Sequence, residues 1–295
     1  MQLLTIFTPT FNREHLLPKL YNSLKNQTDL NFIWLVVDDG STDQTTKLFQ
    51  EWKNEGIINI EYHKTPNRGK PSAINFSIDK CRTELWVCVD SDDYIDCDAV
   101  RCILRDYQNL KKNPDCCGLI ANMHDFEGKI FGGKQLPTAL DYIRDCDIRY
   151  RYHIDSDLVR IFRTSFLKNI RYPIIENEKF IGESYLYERL NGLYYICREC
   201  LYFAKYREDG LTANYLMLHI KNPKGYKLLK QSVMTQPKPL WYQFRGAIMY
   251  VAACFLCDDR SIIFSSPRPI LTFFAYPFGC LAYYSKYHKL RKSNK

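Results

Sequence analysis

Residues 86–94, Trp-Val-Cys-Val-Asp-Ser-Asp-Asp-Tyr, end an apolar run in three carboxylates. An apolar run of this length predicts a strand that is buried on both faces. Asp90, Asp92 and Asp93 should therefore lie at the edge of a sheet, where open α/β sheets bind ligands. Carboxylates this close repel one another unless a cation lies among them, and their hard oxygen atoms suit Mg²⁺ or Mn²⁺. A solvated acidic turn has the same composition and is the alternative.

The first ninety residues alternate short β-type runs with segments of helical periodicity. This order predicts an α/β fold with a mostly parallel, Rossmann-like central sheet flanked by helices. The carboxyl ends of parallel strands meet at one edge, so the polar loops at Thr8, Asp38, Asn67 and Asp90 should converge there. The predicted strands are Leu3–Thr8, Phe32–Val37, Ile57–Tyr62 and Leu85–Val89.

The pattern after residue 110 is less regular, and it predicts a mixture of strands, helices and a hairpin. The predicted strands are Cys117–Met123, Asp157–Phe162 and part of Tyr194–Phe203, the hairpin is Phe126–Gly133, and the helices are Leu136–Tyr150 and Tyr185–Leu193.

Four polar segments follow predicted strands in a fixed order, and together they resemble family 2 glycosyltransferases of the GT-A fold. The resemblance covers about residues 1–215, which we expect to form the catalytic domain, with residues 216–295 as a helical extension. It implies a nucleotide-sugar donor, a divalent metal and inversion at the transferred sugar. The segments are Pro9-Thr10-Phe11-Asn12-Arg13, Val36-Val37-Asp38-Asp39-Gly40-Ser41-Thr42-Asp43, Asn67-Arg68-Gly69-Lys70 with Asn75, and Val89-Asp90-Ser91-Asp92-Asp93.

The resemblance also implies roles for single residues at this edge of the sheet, which we call the rim. An aspartate after the second strand would accept the N3–H group of uracil, and the carboxylates after the fourth strand would hold ribose and metal. The assignment among these last carboxylates stays open, because the family motif is usually Asp-x-Asp. The implied donor-binding residues are Thr8, Pro9, Asp38, Asp39, Arg68, Lys70, Asp90, Asp92 and Arg207, and the implied metal ligands are Asp92 and Asp93.

The catalytic base should come from a later acidic loop, where relatives commonly have Glu-Asp after a glycine. This chain has Gly182-Glu183-Ser184, so Glu183 is the candidate, with Glu176 and Glu178 in reserve. The alternative for Glu183 is an acid that is favoured by the helix dipole. The alternative for Arg207 is a surface ion pair with Glu208 or Asp209.

These features predict a hexosyl- or N-acetylhexosaminyltransferase, of class EC 2.4, that acts in cell-surface polysaccharide synthesis. A UDP-sugar is the favoured donor, and a glycan or lipid-linked hydroxyl is the expected acceptor. Ser184, in place of the second acid, keeps open a non-catalytic nucleotide-sugar-binding protein of the same fold. A nucleotidyltransferase would need a glycine-rich basic loop after the first strand, which Thr8-Pro9-Thr10-Phe11-Asn12 is not. The net charge of +8 comes without a basic-aromatic motif for nucleic acid, so we expect none as a partner.

The C-terminal eighty residues combine apolar stretches with a basic tail. Gly246–Cys257 is too short to span a bilayer, and Pro269–Ser285 should be interrupted by Pro277 and Gly279. Aromatic side chains and basic residues together favour an anionic membrane surface. We expect a cytoplasmic protein, with reduced cysteines, whose C-terminal helices lie on the inner face of the cytoplasmic membrane. A helical cap or a homodimer contact is the alternative. The basic tail residues are Lys286, Lys289, Arg291, Lys292 and Lys295.

Overall fold

The computed structural model of the chain describes residues 2–207 and 215–293. Glu208 and Asp209, the predicted ion-pair partners of Arg207, therefore lie outside the described residues, as does Lys295. The chain forms two compact units. The first contains Met1–Arg171 and Gly192–Lys205, and the second contains Tyr172–Asn191 and Tyr206–Lys295.

The unit boundaries differ from the predicted division after residue 215, because residues 172–191 pack with the C-terminal helices. The Asn222 side chain accepts the backbone N–H groups of Lys179 and Phe180. The Glu178 carboxylate accepts the backbone N–H groups of Lys224 and Gly225, at the start of the helix that follows. The bonds from Lys224 and Gly225 satisfy N–H groups in the first turn of a helix, which have no partner within that helix.

Within residues 2–207 and 215–293, every strand belongs to the first unit. The sheet order is β3-β2-β1-β4-β8-β6-β10-β5, and β9 pairs with β6 and with β7. The predicted α/β architecture is thus confirmed. The strands are β1 Leu4–Thr10, β2 Phe32–Asp38, β3 Asn59–Lys64, β4 Leu85–Cys88, β5 Tyr94–Ile95, β6 Cys116–His124, β7 Tyr142–Arg144, β8 Leu158–Arg163, β9 Leu193–Ile196 and β10 Tyr202–Phe203.

Strands β1 to β4 form a continuous parallel part of the sheet, because helices carry the chain back between them. β1 pairs in parallel with β2 and β4, and β2 pairs in parallel with β3. β8 runs antiparallel between β4 and β6. The sheet is buried between helices and has Trp34 and Trp86 among its buried side chains. The helices of the first unit are α1 Leu17–Lys25, α2 Thr45–Glu55, α3 Lys70–Lys80, α4 Ala99–Leu110, α5 Asp145–Tyr150 and α6 Thr164–Leu167.

Two predicted elements in the middle of the chain are wrong in part. The predicted helix at 136–150 is helical only in α5, because Tyr142 and Ile143 are paired in β7 with β9. The predicted hairpin at 126–133 is a turn that closes with a single bridge between His124 and Ile130. The Asp125 carboxylate holds this turn by accepting backbone N–H groups within it.

The second unit is helical in its described residues. Within residues 2–207 and 215–293, no helix combines the length and apolar character needed to cross a bilayer. The predicted interruption at Pro277 and Gly279 is wrong, because α11 continues through both. Gly279 lies so close to α10 that a Cβ atom there would be 2.4 Å from Val251 Cβ. The helices are α7 Ser184–Leu190, α8 Tyr215–Lys221, α9 Pro223–Thr235, α10 Leu240–Leu256, α11 Pro269–Lys286 and α12 His288–Ser293.

Candidate active site

The loop after β2 is fixed by Asp38, which is fully buried. Its Oδ1 atom accepts the backbone N–H of Ser41 at 2.7 Å, and its Oδ2 atom accepts the hydroxyl of Tyr62. Gly40 has a φ of 85°, a left-handed conformation that glycine adopts without strain. Asp38 therefore holds the turn after β2 in place through its hydrogen bonds.

The loop after β1 is joined to the loop after β2. Asn12 has a φ of 52°, which lets its backbone N–H donate to Ser41 Oγ at 2.8 Å. The Asn12 Oδ1 atom accepts the backbone N–H of Thr42 at 2.8 Å. Thr8 is buried and accepts a hydrogen bond from Trp34 Nε1, whereas Pro9 is half-buried beside it. The Thr8 side chain thus serves the core, and only its backbone is left for a ligand.

Asp39 connects the loop after β2 to the basic loop that opens α3. Its two carboxylate oxygens accept the backbone N–H groups of Arg68 and Gly69, each at 2.8 Å. Gly69 has a φ of 87°, so this approach depends on glycine. The Arg68 side chain remains exposed. Each carboxylate oxygen can accept more than one hydrogen bond, so these two contacts do not by themselves exclude a base as a further donor.

Lys70 and Asp90 form an ion pair across the rim. The Lys70 Nζ atom lies 2.6 Å from Asp90 Oδ1, and the Lys70 side chain is only 15% exposed. The pair joins the start of α3 to the end of β4. One of the three clustered carboxylates thus has a cation of its own in the structure.

Asp93 is the buried member of the acidic cluster. It is 8% exposed, and its Oδ2 atom accepts the hydroxyl of Tyr202 at 2.7 Å. The same Tyr202 oxygen accepts the backbone N–H of Asp90 at 3.1 Å. Burial, followed by the charges of Asp90 and Asp92, raises the pKa of Asp93 to about 8, although the Tyr202 hydrogen bond opposes the shift. A nearby cation would relieve this cost of holding the ionised carboxylate.

The carboxylates of Asp92 and Asp93 fit a divalent cation. They are hard oxygen donors, and the burial of Asp93 beside Asp90 and Asp92 raises its pKa, a cost of ionisation that a bound cation would offset. Asp92 is half-buried, which leaves its carboxylate accessible from the rim. Such an arrangement can hold Mg²⁺ or Mn²⁺ against a diphosphate.

Glu183 and Arg207 belong to the second unit, unlike the other predicted site residues. Glu183 immediately precedes α7 and does not cap it with its side chain. Its Oε2 atom instead accepts the hydroxyl of Tyr187 at 3.0 Å, which orients a half-buried carboxylate. Arg207 is half-buried.

The two reserve acids differ from Glu183 in their surroundings. The two carboxylate oxygens of Glu178 accept backbone N–H groups in the first turn of α9, so Glu178 acts as a helix cap. Glu176 is exposed. Among these three acids, Glu183 is the one whose carboxylate is held by a side-chain hydroxyl.

Two tyrosines at the rim were missed by the sequence reasoning. Tyr62 lies in β3 and binds Asp38, and Tyr202 lies in β10 and binds Asp93. Neither has a sequence signal of its own, since both sit in β-prone aromatic runs. Only the strand pairing of β10 with β5 and β6 shows that Tyr202 is close to the acidic cluster.

Comparisons with known proteins identify relatives of this chain. The chain is 26% identical over 216 residues to the poly(ribitol-phosphate) beta-N-acetylglucosaminyltransferase TarS of Staphylococcus aureus, a match that covers 70% of this chain and 36% of TarS. It is 26% identical over 224 residues to the GalNAc(5)-diNAcBac-PP-undecaprenol beta-1,3-glucosyltransferase of Campylobacter jejuni, with coverage of 72% and 68%. The chain therefore spans little more than a third of the length of TarS.

The structural comparison shows the fold. S. aureus TarS 1–349 in complex with UDP-GlcNAc matches with a TM-score of 0.62 and 17% identity, over 99% of this chain and 91% of that one. The predicted GT-A fold is confirmed by this likeness. The family model described as glycosyl transferase family 2 matches residues 5–171, more than half of the chain. The chain belongs to glycosyl transferase family 2.

Proposed function

We propose that the chain is an inverting glycosyltransferase that moves a sugar from a UDP-sugar to a hydroxyl group of a glycan or lipid-linked acceptor. The observation that carries the proposal is the rim of the first unit, where the buried Asp93 carboxylate lies next to Asp90 and Asp92 after β4. The UDP-GlcNAc complex of TarS supports a UDP-sugar donor. The name of the Campylobacter relative supports an acceptor that is linked to a polyprenyl lipid.

Different residues at the rim of the first unit would each bind a different part of the donor. Asp39 would accept the uracil N3–H group while it holds the basic loop through its two backbone contacts. The exposed Arg68 would approach the diphosphate, and Asp90 would accept a ribose hydroxyl with Lys70 balancing its charge. Asp92 and Asp93 would hold Mg²⁺ or Mn²⁺, which supplies Lewis-acid stabilisation of the leaving diphosphate when bound.

Glu183 would act as the general base. Its carboxylate would remove the proton of the acceptor hydroxyl as that oxygen attacks the anomeric carbon. The hydrogen bond from Tyr187 supports this role, because it holds the carboxylate in one orientation. Arg207 would add positive charge for the diphosphate.

The second unit would keep the enzyme at the inner face of the cytoplasmic membrane. Residues 1–215 would provide the catalytic domain in this scheme and residues 216–295 the membrane-associated extension. The support is the basic, aromatic composition of the extension. Self-association as a homodimer is the competing role for the same region.

A donor panel tests the function. The full chain is incubated with UDP-glucose, UDP-GlcNAc and GDP-mannose in Mn²⁺ or Mg²⁺ and in chelator, and release of the nucleoside diphosphate is measured. We expect release from a UDP-sugar that depends on metal. Tight binding of a UDP-sugar, with no release in the presence of glycan or lipid-linked acceptors, would favour the non-catalytic binding protein instead.

Glu183→Gln tests the base. The change keeps size and hydrogen bonding but removes basicity, so turnover should fall on the order of 10²-fold with donor binding unchanged. Glu176→Gln is the matched control, because this exposed acid lies in the same loop. Wild-type turnover in Glu183→Gln would contradict the assignment.

A further inference from the structure

Helix α11 has two apolar faces. Its inner face is buried against α10, where Ala275 and Gly279 lie near Val251. Its opposite face carries six large apolar side chains, each more than half exposed, and their spacing places them in one stripe along the helix. This outer stripe consists of Ile270, Phe273, Phe274, Phe278, Leu281 and Tyr284.

The apolar surface continues beyond the outer stripe. Phe264, in the segment before α11, is 94% exposed. A hollow of about 490 Å³ lies nearby and is lined by Ile263, Phe273, Phe274, Tyr276 and Pro277. Soluble monomers rarely expose a continuous apolar patch of this kind without a partner.

The charges around the outer stripe identify the partner. Arg268 precedes α11 and Lys286 ends it, so the stripe has a basic residue at each end. The sequence has no acidic residue after Asp259, whereas it has seven Lys or Arg residues from Arg260 onward. Arg291 is paired with Asp258, which leaves most of the remaining positive charge unbalanced in the sequence. A second copy meeting this stripe about a two-fold axis would bring like charges together.

We propose that the outer stripe is a docking surface for an anionic lipid bilayer, with the aromatic rings in the headgroup region and the flanking cations on anionic lipid. Phe and Leu are common on the apolar face of helices that lie in the interface, and the amphipathic ring of Tyr284 suits the headgroup level. The helix lies along the bilayer and does not cross it. The inference rests on the proposed peripheral location, and it specifies the surface and the lipid class.

Vesicle sedimentation tests the docking surface. The full chain is mixed with vesicles of phosphatidylcholine alone or with added phosphatidylglycerol, at low and high salt. We expect binding to anionic vesicles that salt weakens. The triple variant Phe273→Gln, Phe278→Gln and Leu281→Gln should bind at least about tenfold less, with an unchanged melting temperature. Glutamine is a good helix former, so the variant keeps α11 helical.

A matched control removes three exposed apolar side chains elsewhere, by Leu30→Gln, Ile57→Gln and Ile174→Gln. This control should bind vesicles like the wild type. Equal binding by the α11 variant and the wild type, or absence of wild-type binding at low salt, would overturn the proposal. A dimer that dissociates in the α11 variant, without vesicle binding, would assign the stripe to a second copy. Diphosphate release is measured on the same samples, so a failure of the proposed function is separate from a failure of docking.

Tyr202 carries a second, independent inference in the first unit. Its hydroxyl donates to Asp93 and accepts the backbone N–H of Asp90, so one oxygen atom fixes two parts of the acidic turn. The ring is 4% exposed, which prevents it from reaching a ligand directly. We infer that Tyr202 is a positioning residue, which holds the Asp93 carboxylate in the orientation that binds the metal.

The test is Mn²⁺ affinity, measured by electron paramagnetic resonance or calorimetry. Tyr202→Phe should weaken Mn²⁺ binding by about tenfold or more, as loss of a hydrogen bond to a metal ligand commonly does. Tyr194→Phe is the control, because Tyr194 is also fully buried in the first unit. Unchanged affinity in Tyr202→Phe, or an equal loss in the control, would overturn the inference. In an Asp93→Asn background, Tyr202→Phe should have no further effect, and an additional loss would also contradict it.

Discussion

The rim of the first unit and the outer stripe of the second unit hold their side chains differently. At the rim, Asp38, Asp39 and Asp93 each have hydrogen-bond donors from neighbouring segments. In the outer stripe, apolar side chains such as Ile270 and Leu281 are exposed on a regular helix. A rim with fixed polar groups suits one small charged ligand. A stripe of exposed apolar side chains suits a lipid bilayer, because lipid molecules can adjust to the side chains and need no fixed positions.

The largest expected effect comes from Asp93→Asn, which removes a carboxylate at the rim and leaves the outer stripe unchanged. Turnover should fall on the order of 10³-fold, about 4 kcal/mol, because a carboxylate that neutralises the metal is lost. Vesicle binding should not change. Asp106→Asn is the control, since Asp106 is buried in the same unit and paired with Arg105. Turnover within tenfold of wild type in Asp93→Asn would contradict the assignment of Asp93.

Two glycine substitutions, one in each unit, test the packing of the two units separately. At Gly118 a Cβ atom would lie 2.1 Å from the Ile161 carbonyl oxygen, and at Gly279 it would lie 2.4 Å from Val251 Cβ. Each alanine variant should lose about 3 kcal/mol of unfolding free energy, because the close contacts force the packed elements apart. Denaturant titration measures the loss. Gly56→Ala is the uncrowded comparison, although its φ of 65° adds some strain.

The effects of these variants should divide between the two functions. Gly118→Ala should impair donor binding at temperatures where Gly279→Ala retains it, and Gly279→Ala should impair vesicle binding. Simultaneous loss of both functions in each variant would show that the units do not act as separate surfaces.

The smallest expected effect is a pH dependence of the second unit. His219 is 3% exposed, and burial, followed by the charge of Lys230, lowers its pKa from 6.5 to about 3. The unfolded chain therefore binds a proton below pH 6.5 that the folded unit excludes, so stability falls as pH falls. The loss between pH 7 and pH 5 should be about 2 kcal/mol.

Denaturant titration at both pH values measures this loss. His219→Gln should flatten the dependence, because it removes the titrating ring. An equal slope in His219→Gln and the wild type would assign the effect to other groups.

The sequence predicted the rim better than the rest of the fold. The strand ends at Asp38 and Asp90 follow from short apolar runs that stop at polar residues, a local signal that the fold preserves. Tyr202 could not be found, because its place beside Asp93 depends on pairing between β10 and β5, where Tyr202 pairs with Ile95 from a distant part of the sequence. The helix predicted over 136–150 failed because β7 is formed by pairing with β9 and not by local preference.

In the C-terminal region, the sequence predicts helices but not which face of each helix is buried. Its helices were predicted from composition, but the direction of each face was not. Pro277 predicted a break, whereas α11 continues through it and exposes the residues around it. Which face of an apolar helix is buried depends on the neighbouring helix, here on the fit of Gly279 against Val251.

We expect the rim of the first unit to bind a nucleoside diphosphate through a metal held by Asp92 and Asp93. Calorimetric titration of the full chain with UDP, in Mn²⁺ and in chelator, tests this expectation most directly. Binding in Mn²⁺ should weaken at least about tenfold in chelator and in Asp93→Asn, with heat capacity and melting temperature showing a folded protein. Equal UDP affinity in Mn²⁺, in chelator and in Asp93→Asn would contradict it.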